Sequence, residues 1–358
     1  MSSRTSHITC KPASGKAWRC SESNIQARFP AIHRHQTSYM GALMPTAYKL
    51  VTYSTDSLPA RAGLVVNNAV FDIEALFAGR DQKGAGMTVQ ALLEDWPAQS
   101  RKLSEHAANL AAQRTEGLPL SDIQLRAPLL QPGTIYCAGA NYRDHVAEMS
   151  KALNHPMPDD LRAYFGAPWF FIKPSRSCVI GPQAQTKHPE HAATLDWEAE
   201  LAAVIGKPAR NVAASDALQY VAGYTIANDL SARDLMKRPQ MPAGTPFHFD
   251  WTSHKAFEGA CPMGPWITPA DQVPDPQALG IRLCVNGVVK QDSNTSQMIF
   301  SLAEQIAHLS RAVTLQPGDV ILTGTPAGVG AATREFLAAG DRVQVEIDGL
   351  GTLESSIA

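Results

Sequence analysis

The sequence predicts a strand-dominated α+β protein, with a small amino-terminal α+β domain ahead of a larger, strand-rich one. Three observations carry this expectation. Up to about Gln113, extended runs give way to helical spacing of apolar residues. Beyond Gly133, short apolar runs alternate with the turn pairs Gly181-Pro182, Asn286-Gly287, Pro317-Gly318-Asp319 and Asp348-Gly349. Finally, Asn286-Gly287 between IRLCV and VVKQD has the form of a two-residue hairpin loop.

Taken in order, residues 1–43 carry six Lys or Arg and one acid, Glu22, and are rich in Ser and Thr. They lack the apolar core of a secretory signal and are expected to be a disordered extension. Their composition fits a transit peptide; a start at Met40 or Met44, just ahead of the first strand-like run, fits as well. A small domain is expected over 44–128: strands in YKLVTY and GLVVNNAVFDI with an Asn-Asn turn, then helices over 88–93 and 101–113. The Pro- and Leu-rich stretch 118–133 reads as a linker. The larger domain is expected over 129–358, with VQVEI a half-buried strand and helices after Asn141, around 215–220 and around 301–310.

Charge and cysteine usage narrow the function. The net charge is −2, but beyond residue 43 the balance is 25 basic against 32 acidic residues. An acidic body argues against a nucleic-acid surface. No run approaches the ~20 apolar residues of a membrane span. Six cysteines without a Cys-x-x-Cys pair suit reduced thiols, so a soluble cytoplasmic protein is expected.

The segment LDWEAELAAVIGK, 195–207, reads as a strand. Glu198 and Glu200 then share a face, with Cα atoms ~6.6 Å apart, while Trp197, Ala199 and Leu201 point the other way. Paired carboxylates repel unless neutralised, and a hard divalent cation would do so. On spacing alone, a solvent-facing edge strand is the simpler reading. YVAGYTIANDLSARD, 220–234, reads as a strand ending near Asn228, followed by Asp229. Asp229 could supply a third ligand or cap a short helix, and both readings stand at this point. Arg233 and Asp234 could pair with the site or with each other.

Five motifs taken together are more specific: GANYRDH at 139–145, DWEAELAAVIG at 196–206, NDLSARD at 228–234, HKAFEGACPMGPW at 254–266 and TGTPAGVG at 323–330. In this order they resemble the fumarylacetoacetate hydrolase family. The resemblance implies the mixed β-sandwich roll of that family's C-terminal domain and a homodimer. It also implies Mg²⁺, Mn²⁺ or Ca²⁺ on Glu198, Glu200 and Asp229, leaving about three of six positions for water and a chelating 2-oxo acid. It assigns His145 and Glu148 as a water-activating dyad on a helix capped by Asn141. The same resemblance gives Lys255 the role of stabilising an enolate or delivering a proton. Thr325 and Gly324 contact substrate, and Arg233 contacts its carboxylate or braces the ligands. The implied reaction is hydrolysis of a C–C bond in a small 1,3-dicarbonyl or 2-oxo acid, such as an acylpyruvate, through an enolate held by the metal. Decarboxylation, isomerisation or hydration of a related oxo acid is the alternative.

Two departures from the family pattern stand out. Met236 occupies a position where a glutamine is common, and it cannot donate a hydrogen bond. The stretch from Met149 to Ala167 is long, and Tyr164, Phe165 and Trp169 could shape a pocket there. Trp169–Lys173 reads as a plain strand, and His188 and His191 as a solvated pair rather than a zinc site. No Gly-x-Ser-x-Gly elbow supports a serine hydrolase.

Overall fold

Among the described residues strand follows strand, and the helices are few. The computed structural model describes residues 46–78 and 86–358. The extension expected over 1–43, with Cys10, Cys20, Met40 and Met44, lies outside the described residues.

The central element is a 12-stranded mixed sheet. Strand Ala199–Ile205 lies near its middle, antiparallel to Val221–Asn228 on one side and to Val320–Leu322 on the other. Beyond the latter, Ile135–Ala138 pairs in parallel and Phe170–Lys173 closes that edge. On the other flank, Cys261–Pro269 joins Val221–Asn228 to Lys49–Thr55, so the sheet runs on into the first of the described strands. Leu118–Pro119 and Gln124–Arg126 also pair into it. The stretch expected to be a linker is therefore partly strand, because its backbone pairs with the open edges of strands Ala69–Asp72 and Lys49–Thr55.

A second sheet of five strands includes Gly280–Val285, Val288–Asn294, Arg342–Ile347 and Gly351–Ile357. The two sheets pack face to face. Trp197, Ala199, Leu201, Ala203 and Ile205 share one buried cluster with Leu283, Val345 and Leu353 of the second sheet. Ala202 and Val204, on the opposite face, share another with Leu92, Trp96 and Leu103 of the amino-terminal helices. This alternation is the period-2 pattern of a strand buried on both sides.

The expected hairpins form as their turn residues require. Asn67 and Asn68 have φ of 50° and 63°, and Asn286 and Gly287 have 52° and 79°, the left-handed pairs of tight hairpin loops. The helix expected over 101–113 starts earlier, at Trp96, with Pro97 in its first turn.

One cap differs from expectation. The helix Arg143–Ala152 has Tyr142 at its cap, and Asn141 does not cap it. The Asn141 side chain instead donates to the carbonyls of Phe300 and Thr323, at 3.0 and 2.8 Å, and accepts from the Phe300 N–H at 2.9 Å. The side chain thus serves three buried backbone groups at once, and that demand outweighs a local cap.

The long stretch after Met149 contains a second short helix, Leu161–Phe165. Leu161, Phe165 and Met157 pack on Val146, Ile299 and Phe300. Arg162 ties this helix down: it donates to the Ile299 carbonyl at 2.6 Å, pairs with Glu304 and lies over the Phe300 ring. Glu304 also closes a capping box with Ser301 at the start of helix Leu302–Ala312. The bond from Arg162, with further bonds from Ser301, outweighs partial burial and holds the Glu304 carboxyl down to about 2.

A folded pKa below the unfolded value of 4.5 fixes the sign. The pairing's contribution is complete above about pH 4.5 and is lost as pH falls toward about 2. In urea unfolding between about pH 6 and pH 3, the stability gap between wild type and Glu304→Gln should therefore narrow as pH falls.

Candidate active site

The site lies where strand Ala199–Ile205 begins and strand Val221–Asn228 ends. These strands are antiparallel neighbours with Ala199 opposite Asn228, so Glu198 and Asp229 are brought together by register. The Asp229 N–H donates to the Glu198 carbonyl at 2.9 Å, and the Asn228 side chain accepts from the Glu198 N–H. Glu198 and Glu200 share the face of Ala202 and Val204, opposite the cluster that holds Trp197, Ala199 and Leu201. All three carboxylates are buried, at 6%, 1% and 1% exposure. The edge-strand reading is therefore excluded. Asp229 caps no helix, because Ser231–Ala232 is a short strand paired with Leu195–Asp196.

Ligand atoms of Glu198, Glu200 and Asp229 all lie within 4.8 Å of one another. So much buried negative charge requires compensation. Lys255 supplies part of it, with its Nζ 2.7 Å from Glu198 and 2.8 Å from Asp229. Arg233 supplies more, bonding Asp196 at 2.8 Å and Glu198 at 2.5 Å. A third cation, Lys173, is fully buried, 2.8 Å from the other Asp229 oxygen. Its Nζ also donates to the carbonyls of Leu230, Lys255 and Ala260.

These contacts push the groups in opposite directions. Burial alone would raise the Glu198 carboxyl, yet Lys255 and Arg233 hold it well below its usual range. Burial would lower the Lys255 ammonium, but Asp229 and Glu198 raise it. Glu200 goes the other way: burial, then Asp229 and Glu198, push its carboxyl well above the usual range. Among the described residues Glu200 makes no ion pair; it accepts from the Gly324 N–H at 2.6 Å. Gly324 has φ of 98°, and a Cβ there would meet the Asn141 Cβ at 2.9 Å, so the turn that supplies this donor requires glycine. An oxygen-only set with one uncompensated carboxylate fits a hard divalent cation such as Mg²⁺, Mn²⁺ or Ca²⁺.

Above the triad is a chamber of about 110 Å³, and His145, Glu198, Glu200, Arg233, Lys255 and Thr325 line it together. Met236, Trp169, Phe171 and Trp251 form its apolar wall. The expected Glu148 stands behind His145. Its carboxylate accepts from the Gly328 N–H at 3.0 and 2.9 Å and lies 3.9 Å from His145 Nδ1, a separation too long for a hydrogen bond. Burial opposes ionisation of Glu148, but the His145 imidazole and the Gly328 N–H lower its carboxyl. Gly328 also has φ of 98°, and a Cβ would meet the Lys290 carbonyl at 1.9 Å. Thr325 accepts from the Gln291 side chain at 2.8 Å. His188 and His191 belong to no metal-ligating group among the described residues.

Sequence reasoning missed three side chains that hold this arrangement. Lys173 reads as an ordinary strand residue. Asp196 is fully buried and accepts from Arg233 and from the N–H groups of Trp197, Gly330 and Ala331. Gln291 joins the Ala199 N–H to Thr325 and the Pro326 carbonyl. Only Asp196 had an available sign, a third acid directly ahead of the glutamate pair.

The fold and this carboxylate-lined chamber define an α+β enzyme. Residues 134–358 match the family model described as fumarylacetoacetate (FAA) hydrolase C-terminal, and the chain belongs to that family. It is 43% identical over 242 residues to a mitochondrial oxaloacetate tautomerase of Xenopus laevis, covering 67% of this chain and 70% of the relative. A structure of 5-carboxymethyl-2-hydroxymuconate delta-isomerase from Mycobacterium smegmatis is 36% identical, with a TM-score of 0.54 over 67% of this chain and 82% of that one. Maleylpyruvate hydrolase from Sphingobium sp. SYK-6, solved with manganese(II) and pyruvate, is 29% identical, with a TM-score of 0.64 over 87% and 98%. Among the described residues, no helix is long and apolar enough to cross a membrane.

Two variants separate the charges. Glu200→Gln removes like-charge repulsion, so in metal-stripped protein its melting temperature should equal or exceed wild type, while Mn²⁺ should no longer raise it. Lys173→Met leaves a buried carboxylate without one of its cations and should cost about 3 kcal/mol or more in urea unfolding.

Proposed function

We propose that this protein is a divalent-metal-dependent enzyme that interconverts the keto and enol forms of a 2-oxo acid. The observation that carries the reading is the buried triad of Glu198, Glu200 and Asp229 beside Lys255. The tautomerase and isomerase among the relatives support it. Bound to the triad, a divalent cation would supply Lewis acidity to the 2-oxo carbonyl and neutralise the carboxylates.

The chain's own residues do the rest. His145, with Glu148 behind it, takes the proton from the carbon next to the 2-oxo carbonyl, leaving an enolate. Lys255 offsets the charge that develops on oxygen and donates the proton that completes the enol. Arg233 holds Glu198 in place through its guanidinium fork, and Asp196 anchors Arg233. Thr325 is held by Gln291 facing the same chamber and bonds the substrate carboxylate through its hydroxyl. The apolar wall limits water around the enolate.

A second reading is hydrolysis of the C–C bond in an acylpyruvate. The placement of Glu148 behind His145 favours it, because that pair can activate a water as well as remove a carbon-bound proton. Water then adds to the distal carbonyl, the C–C bond breaks, and the departing enolate takes up a proton to give pyruvate. In either reading we propose a cytoplasmic homodimer, although the Xenopus relative's name places that protein in mitochondria.

Metal-stripped protein should regain oxaloacetate tautomerisation, followed by loss of enol absorbance, when Mg²⁺ or Mn²⁺ is added. Glu198→Ala should abolish the recovery, and His145→Ala should reduce it by about 100-fold or more. Metal-dependent cleavage of acetylpyruvate without tautomerisation would select the hydrolase. Turnover of neither substrate would overturn both readings.

A further inference from the structure

A second cavity opens beside the catalytic chamber, and the reaction described above does not use it. It measures about 310 Å³, against about 110 Å³ for the chamber, and the two share Ala140 and His145. Its lining is mostly apolar: Val146, Met149, Leu153, Met157, Tyr164 and Phe165. One wall is helix Arg143–Ala152, and the other is the stretch that carries helix Leu161–Phe165. Packing of Met157, Leu161 and Phe165 on Val146, Ile299 and Phe300, with the Arg162–Glu304 pair, keeps that stretch in place.

The sizes decide what the two spaces can take. The chamber has room for a head the size of pyruvate, and its carboxylates, cations and hydroxyl suit one. The cavity lies at the low end of the ~300–1,000 Å³ typical of small-ligand pockets. Its lining includes no Lys, Arg, Asp or Glu; the polar side chains are His145 at the shared edge, His155 and Ser150. A second carboxylate would gain nothing there, whereas an alkyl or aryl chain would lose its contact with water. Two flexible methionines would adapt to its shape.

We propose that the physiological substrate is a 2-oxo acid with an apolar tail of several carbons, its head in the chamber and its tail running past His145 into this cavity. The proposal rests on the reading that the chamber binds a 2-oxo acid head. It then sets the specificity: Met149, Leu153, Met157 and Tyr164 select for the tail, while the head residues remain common to any 2-oxo acid. The chain must therefore act after a reaction that leaves a 2-oxo acid on a longer carbon skeleton.

The test is calorimetry on the Mn²⁺-loaded full chain with pyruvate, 2-oxopentanoate, 2-oxooctanoate and octanoate. Affinity should rise from pyruvate to 2-oxooctanoate, by about fourfold for each well-buried methylene and at least tenfold overall. Leu153→Asp and Tyr164→Asp place charges at exposed positions where folding is not at risk; they should erase that gain and leave pyruvate binding unchanged. Equal affinities along the series would overturn the proposal, as would a gain that survives both substitutions or a matching loss for pyruvate. So would concentration-dependent self-association that Leu153→Asp abolishes, since a second copy would then cover the cavity. If pyruvate fails to bind while 2-oxooctanoate and octanoate bind with sensitivity to both variants, the tail site stands and the head reading falls. If none of the four binds, both fall.

Discussion

Four carboxylates buried within two adjacent strand ends form the constraint on which the rest of the site depends. Asp196, Glu198, Glu200 and Asp229 are almost wholly withdrawn from solvent. Such a group is tolerable only if cations and backbone donors surround it. Lys173 comes from the sheet edge, Lys255 from a one-turn helix, and Arg233 from the turn after Ser231–Ala232; Gly324 supplies an N–H from the loop after Val320–Leu322, and Gly330 and Ala331 supply theirs from the start of the short helix Gly330–Thr333. Distant segments therefore converge because charge must be balanced, and the same convergence builds the chamber walls.

The features legible in the sequence were those with local causes. Asn-Asn and Asn-Gly declare hairpins because both residues of each pair accept left-handed φ. Glu198 and Glu200 share a face because a strand alternates, and Ala199 between them lies on the opposite, apolar face. Asp229, Lys255, Arg233 and Thr325 were legible through motifs, and the structure brings them to one place.

What stayed hidden depends on contacts far along the chain. Lys173 lies in a run that reads as plain strand, and its role requires Asp229, on a strand end with no sequence link to it. Gln291 acts on Ala199 from 92 residues away, and Asp196 on Gly330 from 134. Asn141 shows the same competition in reverse. Beside a helix start it looks like a cap, but carbonyls 159 and 182 residues away claim its side chain. Long-range need overrides local preference wherever a buried backbone group would otherwise stand alone.

The strand that carries Glu200 is paired on both sides near the middle of the largest sheet. His145 and Glu148 sit instead on a surface helix of ten residues, beside a stretch whose side chains are mostly exposed. Opening free energies differ accordingly across such a fold, being largest where backbone bonds are shielded on both flanks. The two halves of the chamber thus keep different time. The strand half is the stiffer template, holding the carboxylates at a fixed spacing, and the helix half is the part freer to shift.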